Sequence, residues 1–113
     1  MPRTLTVREP DTACCAGALA SPLPRPRADD LALLLKAVAD PIRLQLVSII
    51  RAAANQEACV CDLTDAVGVA QPTVSHHLKV LTDAGIVTRE RRASWAWYTL
   101  VPKRLDDLSS IFR

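Results

Sequence analysis

Four cysteines carry the richest chemistry in this chain, and they fall into two pairs, Cys14 with Cys15 and Cys59 with Cys61. Thiolates bind metals and attack electrophiles, and as soft donors they select thiophilic centres over Mg²⁺ or Ca²⁺. Cys59 and Cys61 are two residues apart; in an extended segment positions i and i+2 point to one side, so both sulfurs can meet one ion. Cys61 is expected to cap a helix that begins at Asp62, where the helix dipole favours its thiolate. Cys14 and Cys15 lie in a stretch without periodic pattern. No secretory signal and no apolar run of membrane-spanning length is visible, which points to a cytoplasmic protein whose thiols stay reduced. Four thiols in so short a reduced chain favour a metal site over disulfides. A Cys-x-Cys pair also suits a redox switch, though it lacks the Cys-x-x-Cys spacing and βαβ setting of thioredoxin-like catalysis. No Ser/His/Asp set, phosphate loop or paired carboxylates supports an enzyme.

The elements around Cys61 have the grammar of a helix-turn-helix. A short run over 62–67 carries Leu63, Ala66 and Val67, and Gly68 follows as a C-cap because it accepts positive φ. Pro72 suits the first turn of a second helix, where its missing N–H had no partner. Val74, His77, Leu78 and Leu81 then recur at i, i+3, i+4 and i+7, one buried stripe. On that stripe His77 reads as a satisfied core histidine. Gln71, Thr73, Ser75, His76 and Lys79 fall off it, polar and able to reach base edges or phosphates. Gln71 suits bidentate contact with adenine, and Thr73 and Ser75 suit phosphates or a thymine methyl.

At 113 residues, half of them hydrophobic, the chain makes one globular domain. Residues 1–27 hold five of the eight prolines and read as a flexible arm, its end kept extended by Pro22, Pro24 and Pro26. The remainder, 28–113, reads as the folded unit. A first helix over 28–39 has Leu31, Leu34, Leu35 and Val38 on one stripe, with Asp29 and Asp30 in its first turn. Asp40 and Pro41 make N-cap and N1 of a second helix to about 54, with Ile42, Leu46, Ile49 and Ile50 buried. Residues 58–61 read as an extended connector. Beyond Gly85, strands over 86–92 and 95–101 flank a turn at Ala93 and Ser94. Alternation puts Ala96, Tyr98 and Leu100 on one face, with Tyr98 and Leu100 toward the core, and Trp95, Trp97 and Thr99 on the other. The tryptophans are expected to cover the hairpin or a dimer edge. A last helix over 103–112 carries Leu105, Leu108, Ile111 and Phe112. The fold class is mainly α with a β-hairpin wing: a winged helix-turn-helix.

The net charge of +2 is small, but its distribution is informative. Residues 28–68 carry three basic and six acidic side chains, a net of −3; residues 69–104 carry six and two, a net of +4. The basic part is the reading unit and the wing, as a nucleic-acid footprint requires. Lys79, Arg91 and Arg92 suit phosphates or the minor groove better than base edges.

The phrases from Ala37 to Leu44, from Cys59 to Leu63 (CVCDL) and from Gln71 to Val87 (QPTVSHHLKVLTDAGIV) are closely similar to the arsenical-resistance repressor family, ArsR/SmtB. The resemblance covers most of the chain, and its third phrase is long and specific. It implies a homodimeric repressor that holds a palindromic operator and releases it when a toxic metal or metalloid binds. The first and last helices would form the dimer seam, placing two reading helices in successive major grooves. One departure is Ala70, where the family usually has a capping Ser, a loss of about 0.5–2 kcal/mol unless Gln71 or Thr73 compensates.

In such proteins the CVCDL box resembles a metal-sensing site. One family version carries a third cysteine where this chain has Thr64, so the box alone cannot complete a trigonal or tetrahedral thiolate site. The resemblance implies that Cys14 and Cys15 of the arm, of the same or the other subunit, supply the missing sulfurs. Three sulfurs suit As(III) or Sb(III); all four suit Cd(II), Pb(II) or Zn(II), as in the cadmium- and lead-sensing branch. The zinc-sensing branch places His and acidic ligands on the last helix, where this chain offers Asp106 and Asp107 but no His.

Overall fold

The computed structural model describes residues 22–112. The Cys14–Cys15 pair and most of the expected arm lie outside the described residues.

Helix α1 spans Arg25–Val38, starting three residues before the hydrophobic stripe suggests. Pro26 was expected to keep the chain extended; instead it stands in the first turn, where a missing N–H costs no bond. Leu31, Leu34 and Ala37 of α1 are buried. Helix α2, Pro41–Ala52, begins as the Asp-Pro pair predicts. Oδ2 of Asp40 accepts hydrogen bonds from the amides of Ile42 at 2.9 Å and Arg43 at 3.1 Å. The Arg43 amide leads in holding the Asp40 carboxyl below its ordinary value, against the opposing effect of burial.

After a single 3-10 turn, Ala54–Gln56, comes a short strand β1, Glu57–Cys59. The sequence suggested a bare connector here. The structure pairs it antiparallel with β3, Glu57 opposite Thr99 and Cys59 opposite Trp97. Strands β2, Val87–Arg92, and β3, Trp95–Leu100, form the expected hairpin, closed from Arg92 to Trp95 by Ala93 and Ser94. The sheet order is β1-β3-β2, so the wing has three strands rather than two.

Between β1 and β2 lie α3, Val60–Val67, and α4, Gln71–Asp83. Gly68, at φ 73°, ends α3 and donates its N–H to Thr64 O at 3.0 Å, the left-handed stop that only glycine adopts cheaply. Helix α5, Pro102–Ser109, and a closing 3-10 turn, Ser110–Phe112, return to α1. There Arg104 grips Asp30 with two bonds of 3.1 and 3.2 Å.

The core is built where these elements meet. Leu34, Leu46, Ile50, Leu63, Leu78, Leu81, Ile86, Val74 and Val87 are fully buried. They come from α1 to α4 and the start of the wing, so the core holds the reading helix α4 against the rest by its inward stripe. The architecture is a winged helix-turn-helix, mainly helical with an antiparallel wing.

Candidate nucleic-acid interface and thiol site

Helix α4 shows solvent the residues its pattern left off the stripe. Gln71, Thr73, His76 and Lys79 are exposed and Ser75 is half-buried. Its N-cap is Ala70, which makes no side-chain cap bond, so the missing serine is not replaced by Gln71 or Thr73. His77 is half-buried at the edge of the core. Its Nδ1 lies 3.1 Å from Nη1 of Arg43 and 3.9 Å from Oδ2 of Asp40. Arginine carries only donors, so in this contact Nδ1 stands as the acceptor. Arg43 also donates to the carbonyls of Ala37 and Lys36, tying the end of α1 to the reading helix.

A groove of about 510 Å³ runs between α4 and the wing. Gln71, Ser75 and Lys79 line its helix side, and Arg89, Arg91 and Trp95 its wing side. Lys79 reaches Asp83 at 3.1 Å, an exposed i, i+4 pair that leaves its ammonium available to a competing phosphate. Thr73 and His76 are outside this lining, farther round the helix.

Arg89, not singled out by the sequence pattern, also lines this groove, and Arg92 is placed differently from Arg91. In the hairpin register Arg89 faces Tyr98 and Arg91 faces Ala96, so both share the parity of the buried Tyr98 and point to the groove side. Arg92, opposite Trp95, has the other parity. Its guanidinium donates to Glu57 at 3.0 and 2.8 Å and to Glu90 at 2.9 and 3.1 Å, and lies 4.8 Å over the ring of Trp97. Hydrogen bonds to Glu57 and then Glu90 raise its pKa further, and Arg92 in turn holds the Glu57 carboxyl below its ordinary value. The signal for this division was available: with a two-residue turn and Tyr98 inward, strand alternation assigns Arg89 and Arg91 to one face and Arg92 to the other.

The thiol box also differs from expectation. Helix α3 begins at Val60, not Asp62, and its N-cap is Cys59, not Cys61. The Cys59 Sγ accepts the N–H of Cys61 at 3.4 Å, so the sulfur fills the role an oxygen usually takes there. Cys59 is buried and Cys61 half-buried, both as free thiols. The expected stabilisation of the Cys61 thiolate does not dominate. Its hydrogen bond with Cys59 comes first in pushing its pKa above the usual cysteine value, with burial and the charges of Cys59 and Asp62 adding, against the opposing amide of Asp62. Among the described residues no cluster of three or more His, Cys, Asp and Glu side chains converges to hold a metal ion. Nor is any described helix long and apolar enough to cross a membrane.

Residues 40–89 match the family model described as bacterial regulatory protein, arsR family. The arsenical resistance operon repressor of Bacillus subtilis is 37% identical over 75 residues, which cover 66% of this chain and 70% of that protein. The SmtB repressor of Mycobacterium tuberculosis is 41% identical over 85 residues, 75% of this chain and 61% of that one. Among solved structures, the transcriptional repressor BigR of Xylella fastidiosa aligns with a TM-score of 0.63 at 33% identity, covering 77% of this chain and 87% of that one. A homodimeric winged helix-turn-helix domain of Mycobacterium bovis, at 24% identity and a TM-score of 0.65, covers 82% and 86% and shares the fold. By family match, relatives and fold together, the chain belongs to the arsR family of bacterial regulatory proteins, DNA-binding transcriptional regulators and not enzymes.

Proposed function

We propose that this chain is a homodimeric repressor that holds palindromic operator DNA and releases it when As(III) or Sb(III) is taken up by cysteine sulfurs. Cys14, Cys15 and one of Cys59 and Cys61 are the proposed ligands. On the DNA side, Gln71, Thr73, Ser75, His76 and Lys79 meet the major groove while Arg91 binds phosphate. Arg89, on the same wing face as Arg91, takes the place given on sequence grounds to Arg92, whose donors are engaged by two carboxylates. The exposed Leu23 and Leu35 near and on α1, with Ile111 and Phe112 after α5, support a dimer seam between first and last helices.

The observation that carries the sensing reading is the Cys59 Sγ on the Cys61 amide. Both candidate box sulfurs stand at the start of the first helix of the helix-turn-helix, Cys59 as its cap and Cys61 in its first turn, so ligation by either acts on the element that seats the reading helix. Coupling is reciprocal, and operator DNA therefore weakens ligand binding by the same factor.

The choice of ion is open to a chemical test. Arsenous acid reacts with three thiols to form three As–S bonds while its three hydroxyls leave as water, each taking one thiol proton. No net proton is released. Cd(II), Pb(II) or Zn(II) must displace a proton from every thiol it binds, and the raised pKa of Cys61 makes that harder near neutrality. Arsenite affinity should therefore stay nearly flat from about pH 6.5 to about pH 8, whereas cadmium affinity rises by up to about tenfold per pH unit per sulfur.

The deciding experiment titrates arsenite and cadmium, under full reductant, against operator-bound wild type, Cys14→Ser/Cys15→Ser and Cys59→Ser/Cys61→Ser. Release of wild type by arsenite, with both double variants retained on DNA, is expected. Stronger release by cadmium with a steep pH dependence favours a four-sulfur site; release by oxidant alone makes the cysteines a redox switch and ends the ion reading.

A further inference from the structure

The outer face of the sheet holds a charged cluster that neither DNA contact nor thiol ligation uses. Arg92 closes β2, and its two terminal nitrogens grip both oxygens of Glu57 on β1. Glu57 stands two residues before Cys59, and Cys59 lies opposite Trp97, whose ring Arg92 covers. One guanidinium thus joins the far end of the wing to the strand that ends in the capping cysteine.

We propose that Glu57 and Arg92 are positioning residues that couple the thiol pair to the DNA-facing wing. The inference rests on the reading of Cys59 and Cys61 as part of a sensing site, and adds the device by which a change there reaches Arg89 and Arg91.

Strand β1 is the edge of the sheet and only three residues long, so its ladder to β3 is a short tether. The chain before it turns through left-handed φ at Asn55 (58°) and Gln56 (53°), so β1 does not continue α2 as one straight element. A displacement at Cys59 reaches the wing only through what joins β1 to it. The bidentate Arg92–Glu57 pair is that fixture: two parallel charge-assisted bonds set orientation as well as distance. Glu90 and the Trp97 ring hold the guanidinium from its other sides. The clamp spans 35 residues of sequence and ties β1 to β2 across β3, which no backbone ladder does.

The test uses the full chain, a fluorescent operator fragment, and cadmium and arsenite under reductant. Operator affinity is measured with and without each ion, and cadmium affinity by sulfur-to-cadmium absorption. Glu57→Gln should keep ion-free operator affinity and cadmium affinity within about threefold of wild type, while the ion-induced loss of operator affinity falls from tens of fold to below about fivefold. Arg92→Lys, which keeps the charge but not the bidentate fork, should fall between the two, and carries the test if Glu57→Gln melts below the assay temperature. A purely structural role would lower melting temperature and leave the ratio of affinities unchanged. Ion-induced release of wild-type size in both variants overturns the inference, as does a Glu57→Gln defect in ion-free DNA binding as large as that of Arg91→Ala. Failure of either ion to release the wild type is a different result: it overturns the sensing reading, and the coupling with it.

Discussion

Arg91 and Arg92 are adjacent in the chain and opposite in circumstance. Arg91 lines the groove facing the reading helix, and among the described residues its Nη1 meets only the carbonyl of Ser94, at 3.4 Å. Arg92, one residue on, is held between two carboxylates and a tryptophan ring. Residue type and sequence position scarcely distinguish them. Strand parity does: the face shared with Tyr98 and Leu100 runs from core to groove, and the face shared with Trp97 and Thr99 carries the clamp. A basic run in a wing is therefore two half-runs in separate surroundings, and counting its charges overstates what faces the groove.

The largest effect that tests this division is on stability. Leu100 is 4% exposed on the inner face, and Leu100→Ala should cost about 2–5 kcal/mol in urea unfolding. Thr88, exposed on the outer face, should change stability by no more than about 0.5 kcal/mol when replaced by Ala. Comparable costs at the two positions would break the distinction between the faces.

Next in size is the response to salt. Arg89→Ala and Arg91→Ala should each weaken operator binding and lower the log–log salt slope by about 1, the signature of one lost phosphate contact. Arg92→Ala should leave that slope at its wild-type value. A slope reduced equally by all three would return Arg92 to the DNA surface.

What was legible in the sequence was local. Asp40 with Pro41, Gly68, Pro72 and the stripe Val74, Leu78 and Leu81 each act within a turn or two, and each stands where its pattern placed it. Pro26 misled because a proline that breaks a helix interior is harmless in its first turn. The capping role of Cys59 was hidden because a thiol is an unusual cap and the start of α3 depends on β1 pairing with a strand some forty residues away. Glu57 gave no local hint at all: its partner is 35 residues distant, and only the folded sheet brings them together. Of the proposed ligands, Cys59 and Cys61 are neighbouring free thiols, and Cys14 and Cys15 fall outside the described residues.

The smallest effect is also the most local. Arg92 lowers the Glu57 carboxyl from its ordinary 4.5, so the folded state binds that proton less readily than the unfolded chain. The contribution of the clamp is therefore fully present above pH 4.5 and is lost only as pH falls through the lower folded value. Trp97 is placed to report it, because the cation over its ring is held there by Glu57 and Glu90. With Trp95→Phe, Trp97 becomes the one remaining tryptophan of the chain. Its emission should hold steady down to pH 4.5 and change below it, and adding Arg92→Lys should move that transition upward toward the ordinary carboxylate range, since a single ammonium cannot engage both oxygens of Glu57. Arg91→Lys, on the groove side, should leave the transition where it was. If the two lysine variants shift it alike, the clamp is not the source of the transition, and the outer face has no separate electrostatic identity.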